Sequence, residues 1–462
     1  MAIVKKIIVL LCLFLASVSW SQDFWTKFST AQPTSPTGVR SISIVNPTTT
    51  WLNMSCGTTA CPTIRRYAKT VNGGSVWTTG EIDLGPQSAN LEIANISGVS
   101  DLIAYAAVFP KTATIFGGIW KTADGGTTWS RQDSADFSNP VYSFPNQVYF
   151  WNANEGVAVG DPAAGYFEIY TTANGGDTWT RVPSSSALTP IYEDEYGVTN
   201  NFAVVGNTIW VFTTYGRILK SSDKGISWTS FQSPLTWYPC CFCDPNAHPH
   251  MAFSDENHGL LQSTSYELFT TDDGGSTWST LNWSGVLRGF NIAAVPGLPN
   301  TYLSLGYDTD ILARGSSYSI DSGQTWIDIN NNPDLDHVTG GTISMLNQDY
   351  GFASGFSTSP TEGGIFRWGG GPMLRNAILG VPKFSIGKSV QVVPNPTSGI
   401  LNISGKNIGG IEVLDLLGKK IMSKTYDKLD SVTFDLGFLK NGIYLIKVSS
   451  DQDTNLIKIL KN

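Results

Sequence analysis

Thr271-Asp-Asp273-Gly-Gly275-Ser-Thr-Trp278 is one of six copies of a single eight-residue phrase. The others are Thr70-Val-Asn72-Gly-Gly74-Ser-Val-Trp77, Thr122-Ala-Asp124-Gly-Gly126-Thr-Thr-Trp129, Thr172-Ala-Asn174-Gly-Gly176-Asp-Thr-Trp179, Ser221-Ser-Asp223-Lys-Gly225-Ile-Ser-Trp228 and Ser319-Ile-Asp321-Ser-Gly323-Gln-Thr-Trp326. Successive tryptophans stand 52, 50, 49, 50 and 48 residues apart. A period of this length, with short strand-like runs between turns, predicts an all-β fold: a β-propeller with one four-stranded blade per repeat.

Each copy reads Ser/Thr-x-Asp/Asn-x-Gly-x-x-Trp. The Asp or Asn is expected to bond backbone N–H groups two residues on, and the Gly to supply a positive φ without steric cost. Trp then enters the next strand and buries its ring against the blade. The phrase resembles the Asp-box, or BNR, repeat of sialidase-like propellers. That resemblance implies that it joins the third and fourth strands of a blade. Asn72, Asp124, Asn174, Asp223, Asp273 and Asp321 read as turn formers rather than ligands. Trp77, Trp129, Trp179, Trp228, Trp278 and Trp326 read as core.

Six phrases do not imply six blades. Asp23-Phe-Trp25-Thr-Lys-Phe28 matches the strand that follows each phrase, and Trp25 lies 52 residues before Trp77. At the far end, Thr342–Trp368 supplies three strand-like runs and no phrase. The N-terminal strand is therefore expected to complete the last blade, closing a ring of seven and removing an exposed sheet edge.

Of the 462 residues, 23–371 carry 30 acidic and 15 basic side chains, and 372–462 carry 7 and 12. An acidic propeller argues against nucleic acid and anionic membrane surfaces as partners. Residues 1–21 read as a secretory signal: Lys5-Lys6, the apolar run Ile7–Leu15, then Ser19-Trp20-Ser21 before Gln22. The run is too short to span a bilayer, and no other segment is expected to cross one. Five cysteines follow it. In an oxidising compartment Cys56 and Cys61 could pair, as could Cys240 and Cys243; Cys241 is their neighbour.

Gly369-Gly-Gly-Pro372 opens a linker over 369–388 after the propeller of 22–368. The tail, 389–462, contains Val392-Val-Pro394-Asn395-Pro396-Thr-Ser-Gly399, Ile411-Glu-Val-Leu-Asp415-Leu-Leu-Gly418-Lys419 and Leu439-Lys-Asn-Gly442-Ile-Tyr444-Leu-Ile-Lys447-Val. Its alternating apolar positions predict a small Ig-like antiparallel sandwich. The ordered phrases resemble the type A sorting domain of the type IX secretion system. This implies the secretion machinery as a partner, passage through the periplasm and outer membrane, removal of the tail, and release or attachment at the cell surface.

Ligands of propellers usually meet the face that carries the blade-to-blade connectors. Three connectors stand out: Tyr192-Glu193-Asp194-Glu195-Tyr196, the Cys240–His250 segment with His248 and His250, and Asp334-Leu-Asp336-His337. The Cys/His spacing fits no common zinc pattern, so no metal or other cofactor is assigned. A sialidase would need an arginine cluster, a Tyr–Glu nucleophile pair, an acid Asp and an Arg-Ile-Pro phrase; Arg40 leads instead into Ser-Ile-Ser. The repeat is most similar to single seven-bladed BNR propellers related to photosystem II assembly factors. The expected function is binding of an extracellular protein or glycan, with a glycan-cleaving hydrolase as the alternative.

Overall fold

The computed structural model describes residues 24–33, 36–56, 63–112, 114–137, 144–236, 249–289, 291–307, 314–329, 342–369, 390–415, 419–450 and 454–462. They form strands and, as the one described helical turn, the 3-10 segment Ser88–Asn90. No helix among them is long and apolar enough to cross a membrane. The chain divides into two compact units, 1–373 and 374–462.

The first unit is a seven-bladed propeller. Blade 1 is Thr37–Ile44, Thr50–Cys56, Arg66–Thr70 and Thr78–Glu81. Blade 2 runs from Leu91–Gly98 to Ser130–Arg131, blade 3 from Pro145–Phe150 to Thr180–Arg181, and blade 4 from Gly197–Val205 to Thr229–Gln232. Blade 5 runs from His250–Phe253 to Ser279–Leu281 and blade 6 from Asn291–Ala294 to Thr325–Asp328. Blade 7 combines Ile343–Asn347, Tyr350–Ser359 and Glu362–Trp368 with the N-terminal strand Trp25–Ser29. That strand runs antiparallel to Glu362–Trp368, with Trp25 opposite Trp368, and Gly369 N–H donates to the Phe24 carbonyl at 2.8 Å. Thr37 and Gly38 also pair with Ser357 and Phe356, joining blades 7 and 1 into one sheet.

The repeated phrase forms the turn between third and fourth strands in blades 1 to 6. Its geometry differs in one detail from the sequence expectation. The Asp or Asn oxygen accepts the N–H four residues on, as in Val76 to Asn72 at 2.9 Å and Thr277 to Asp273 at 2.8 Å. The opening Ser or Thr hydroxyl accepts the Gly N–H, also four residues on, as in Gly176 to Thr172 at 3.0 Å. A two-residue reach would satisfy only one arm of a tight turn; the longer reach encloses two successive left-handed residues. These are Gly73 and Gly74 in the first copy and Lys224 and Gly225 in the fourth.

The tryptophans pack between blades rather than within one. Trp77 meets Phe352 of blade 7 edge-on, Trp129 meets Trp51 of blade 1, and Trp228 clusters with Val157 and Ile169 of blade 3. Trp25 plays the same part for blade 7, packing with Leu303 and Tyr318 of blade 6 and donating to Ser316 Oγ at 2.8 Å. An indole buried at such a junction brings a large apolar area to the volume between two sheets.

A second repeated device joins the blades. Trp51, Tyr105, Trp210 and Phe352 each stand opposite a cation on the next strand: Lys69, Lys121, Lys220 and Arg367. Each cation donates to a carbonyl in the turn of the following blade. The bonds are Lys69 to Gly125 at 2.9 Å, Lys121 to Gly175 at 2.7 Å, Lys220 to Gly274 at 3.0 Å and Arg367 to Gly73 at 2.8 Å. Burial pulls the Lys69 and Lys220 ammonium groups below the ordinary lysine range, against the opposing pull of nearby acids.

The second unit is a small sandwich of five strands. Its long strand Ile400–Leu414 pairs with Val390–Val393, Lys420–Asp435 and Gly442–Ser450, and Thr454–Lys461 pairs with the last of these. Leu401, Ile403, Ile411, Val413, Phe434, Ile446 and Ile459 make its core. Alternation along Ile400–Leu414 places Leu401, Ile403, Ile411 and Val413 on the inner face.

Candidate binding channel and connector rim

The first strands of the blades line the central channel. Along blades 4 to 7 they enclose a cavity of about 440 Å³. The polar side chains on its wall are Asn200, Asn201, His250, Ser254, Asn291, Thr342 and Ser344. Asn200 and Asn201 reach it because the pairing in Gly197–Val205 slips between Gly197 and Phe202. Such a bulge re-aims side chains that regular pleating would direct elsewhere. Asn200, at φ 55°, donates across the channel to the Arg40 carbonyl of blade 1 at 3.3 Å. Asn201 Nδ2 donates to the Pro249 carbonyl at 2.6 Å. His250 opens the inner strand of blade 5, with its Nδ1 3.1 Å from Asn291 Nδ2. Arg40 is held by Glu92 at 2.8 Å.

The acidic connector separates into two parts. Tyr192, Glu193 and Asp194 are exposed, and Tyr192 stacks against Tyr215 with ring centroids 4.4 Å apart. Tyr215 donates to Asp194 Oδ1 at 2.6 Å, which together with neighbouring acids pushes the phenol up to about 12. Glu195 is fully buried instead of lying on the rim. It accepts from Arg217 at 2.7 Å, from Thr213 Oγ1 at 2.8 Å and from the Ile191 N–H at 2.7 Å. A buried carboxylate with three donors, one of them a guanidinium, is a fixture of the fold. Tyr196 is half-buried, its N–H bound to Thr214 Oγ1 at 3.0 Å. His248, His337, Cys61, Cys240 and Cys243 lie outside the described residues. Cys56 is disulfide-bonded.

Two further carboxyl groups are buried in blade 3. Asp161 accepts from Asn146 Nδ2 at 2.7 Å and from the Gly197 N–H at 3.0 Å, linking blades 3 and 4. Desolvation outweighs these bonds and pushes it up to about 7. Glu168, which accepts from Tyr170 at 3.0 Å, is likewise raised to about 7 by burial. Neither lines the channel cavity. Sequence reading did not single out Asn200 and Asn201, although Thr199-Asn-Asn201 is a polar interruption in an otherwise apolar strand.

Comparison with known proteins places these features. Residues 391–462 match the family described as secretion system C-terminal sorting domain. Residues 114–236 match the family described as photosynthesis system II assembly factor YCF48. No curated protein matches the chain. Similar solved structures include YCF48 from Cyanidioschyzon merolae, 16% identical over 74% of this chain and 98% of that one, with a TM-score of 0.48. PorZ, an essential surface component of the type-IX secretion system of Porphyromonas gingivalis, is 15% identical over 92% of this chain and 59% of that one, with a TM-score of 0.44. Trypanosoma rangeli sialidase is 12% identical over 94% and 89%, with a TM-score of 0.41. The sorting domain marks the protein for export by the type IX system to the cell surface or medium, and it engages that machinery. The chain thus joins a BNR-type propeller to a secretion-system C-terminal sorting domain.

Proposed function

We propose that the protein is an exported binding module whose ligand, a glycan or a polypeptide, is held in the central channel and on the connector rim. One observation carries this reading: the 440 Å³ cavity presents amides, hydroxyls and an imidazole at one wall. Such groups exchange hydrogen bonds with sugar hydroxyls or peptide amides. Glycosidic cleavage calls for a facing pair of carboxylates, and the cavity's described lining contains none. On this reading the six turns are Asp-boxes with a structural role, residues 1–21 are a cleaved leader, and residues 22–368 are delivered by the tail of 389–462. Exposed Tyr192, beside Glu193 and Asp194, adds a flat ring to the rim.

A glycan array and a tiled peptide array on the mature protein, with a parallel hydrolysis assay, test it. Replacing His250 or Asn291 by Ala should weaken the best ligand about tenfold. Undiminished binding in both variants, or release of cleaved sugar, would overturn the reading.

A further inference from the structure

Six blade junctions place a turn against the preceding blade, and four are filled by an aromatic residue and a cation. The other two carry an aliphatic residue and threonine: Leu260 opposite Thr270, and Val157 opposite Thr171. Between blades 5 and 6 the space is closed, because Leu260 and Leu281 crowd Gly323. Between blades 3 and 4 a cleft of about 250 Å³ remains. Thr171, Thr180, Asn174, Glu155, Lys224 and Ile226 line it.

The cleft sets several acceptors into a largely apolar wall. In the four filled junctions the fourth residue of the phrase is Gly, and its carbonyl takes the cation. Here that residue is Lys224, whose carbonyl receives no hydrogen bond from the described residues. The Thr171 and Thr180 hydroxyls receive none either. Lys224 Nζ turns back across the cleft to Glu155 Oε2 at 2.5 Å, where Asn152 also donates at 2.6 Å. Glu155 Oε1 is left without a donor among the described residues. Ile226 stands 62% exposed beside them.

We propose that this cleft binds a lysine side chain presented by a second protein. The propeller itself shows what fits: Lys69, Lys121 and Lys220 occupy the corresponding position at their own junctions. An incoming ammonium would donate to the Lys224 carbonyl, Glu155 Oε1 and the Thr171 hydroxyl, and its methylenes would lie on Ile226. The acidic surface of the propeller favours approach of a basic partner. This site lies on the turn-bearing face, opposite the connector rim, and does not depend on the channel reading.

The probe is Nα-acetyl-lysine methylamide, titrated into the mature full-length protein while the Ile226 and Thr171 methyl signals are followed by NMR. Nα-acetyl-norleucine methylamide, which keeps the carbon chain and lacks the ammonium, is the control. Saturable shifts with the lysine probe and at least fivefold weaker ones with the control are expected. Thr171→Lys supplies the missing cation from within and should abolish binding, and Glu155→Gln should weaken it at least threefold. Equal shifts from both probes, or unchanged binding in either variant, would overturn the proposal.

Discussion

Blades 2 and 3 meet over Tyr105 and Lys121; blades 3 and 4 meet over Val157 and Thr171. The turn presented to each junction is nearly the same: Gly176 N–H to Thr172 at 3.0 Å in one, Gly225 N–H to Ser221 at 2.8 Å in the other. What differs is the filling. In the first junction Tyr105 donates to the Gly175 carbonyl at 2.5 Å and Lys121 joins it. In the second, Val157 packs directly against Gly225 and a cleft is left beside it. The repeated phrase therefore supplies the turn and one junction tryptophan, and leaves the aromatic-cation filling unspecified. The pair that the preceding blade brings to each junction is set independently, and a junction can be opened without disturbing its turn.

The largest break in this comparison should come from Trp179→Ala. Trp179 is buried between blades 2 and 3, edge-on to Phe150 at 5.7 Å. Its loss is expected to cost about 3–5 kcal/mol, read as a fall in the denaturation midpoint. A stability equal to the parent would show that the junction does not depend on its indole.

The second test uses pH at the blade 3–4 junction. Asp161 is raised to about 7, from an unfolded value near 3.8. Between these values the native chain holds a proton that the unfolded chain has released, so its contribution is complete below about pH 4 and lost as pH rises to about 7. Asp161→Asn should flatten the pH dependence of the melting temperature in that window. Glu168 acts in the same direction and leaves a residual slope.

Two exchanges then sharpen the contrast between the junctions. Lys121→Thr imports the open arrangement into blades 2 and 3 and should cost about 1.5 kcal/mol, the low end for a hydrogen bond from a charged group because the ammonium is partly exposed. Thr171→Lys exports the filled arrangement to blades 3 and 4 and should gain about 0.5 kcal/mol. Chemical denaturation of both variants reads these values, and a loss of stability in Thr171→Lys as well would show that the aromatic partner, absent at Val157, is indispensable to the cation.

The seven-fold ring is legible in the spacing of Trp25 and the six later tryptophans, because a buried indole per blade repeats with the chain length of a blade. The turn residues are legible for the same reason. The junction cations are visible as letters, in Lys69-Thr70, Lys121-Thr122 and Lys220-Ser221, but their meaning depends on which turn lies across the junction. Glu195 reads as one of three rim acids, and only its pairing with Arg217, 22 residues along the chain, turns it inward. Asn201 is likewise placed by a register slip that no local pattern announces.

The pairing of Trp25 with Trp368 has a consequence for synthesis. The chain begins the ring with a strand that has no partner until the last strand of blade 7 exists. That outer edge stays open through the making of six blades, and the ring's cooperativity arrives in one late step of long sequence separation. Once closed, the ring has no structural beginning. With Phe24 and Gly369 already in hydrogen-bond contact, a chain spliced there and opened at another connector would trace the same circle.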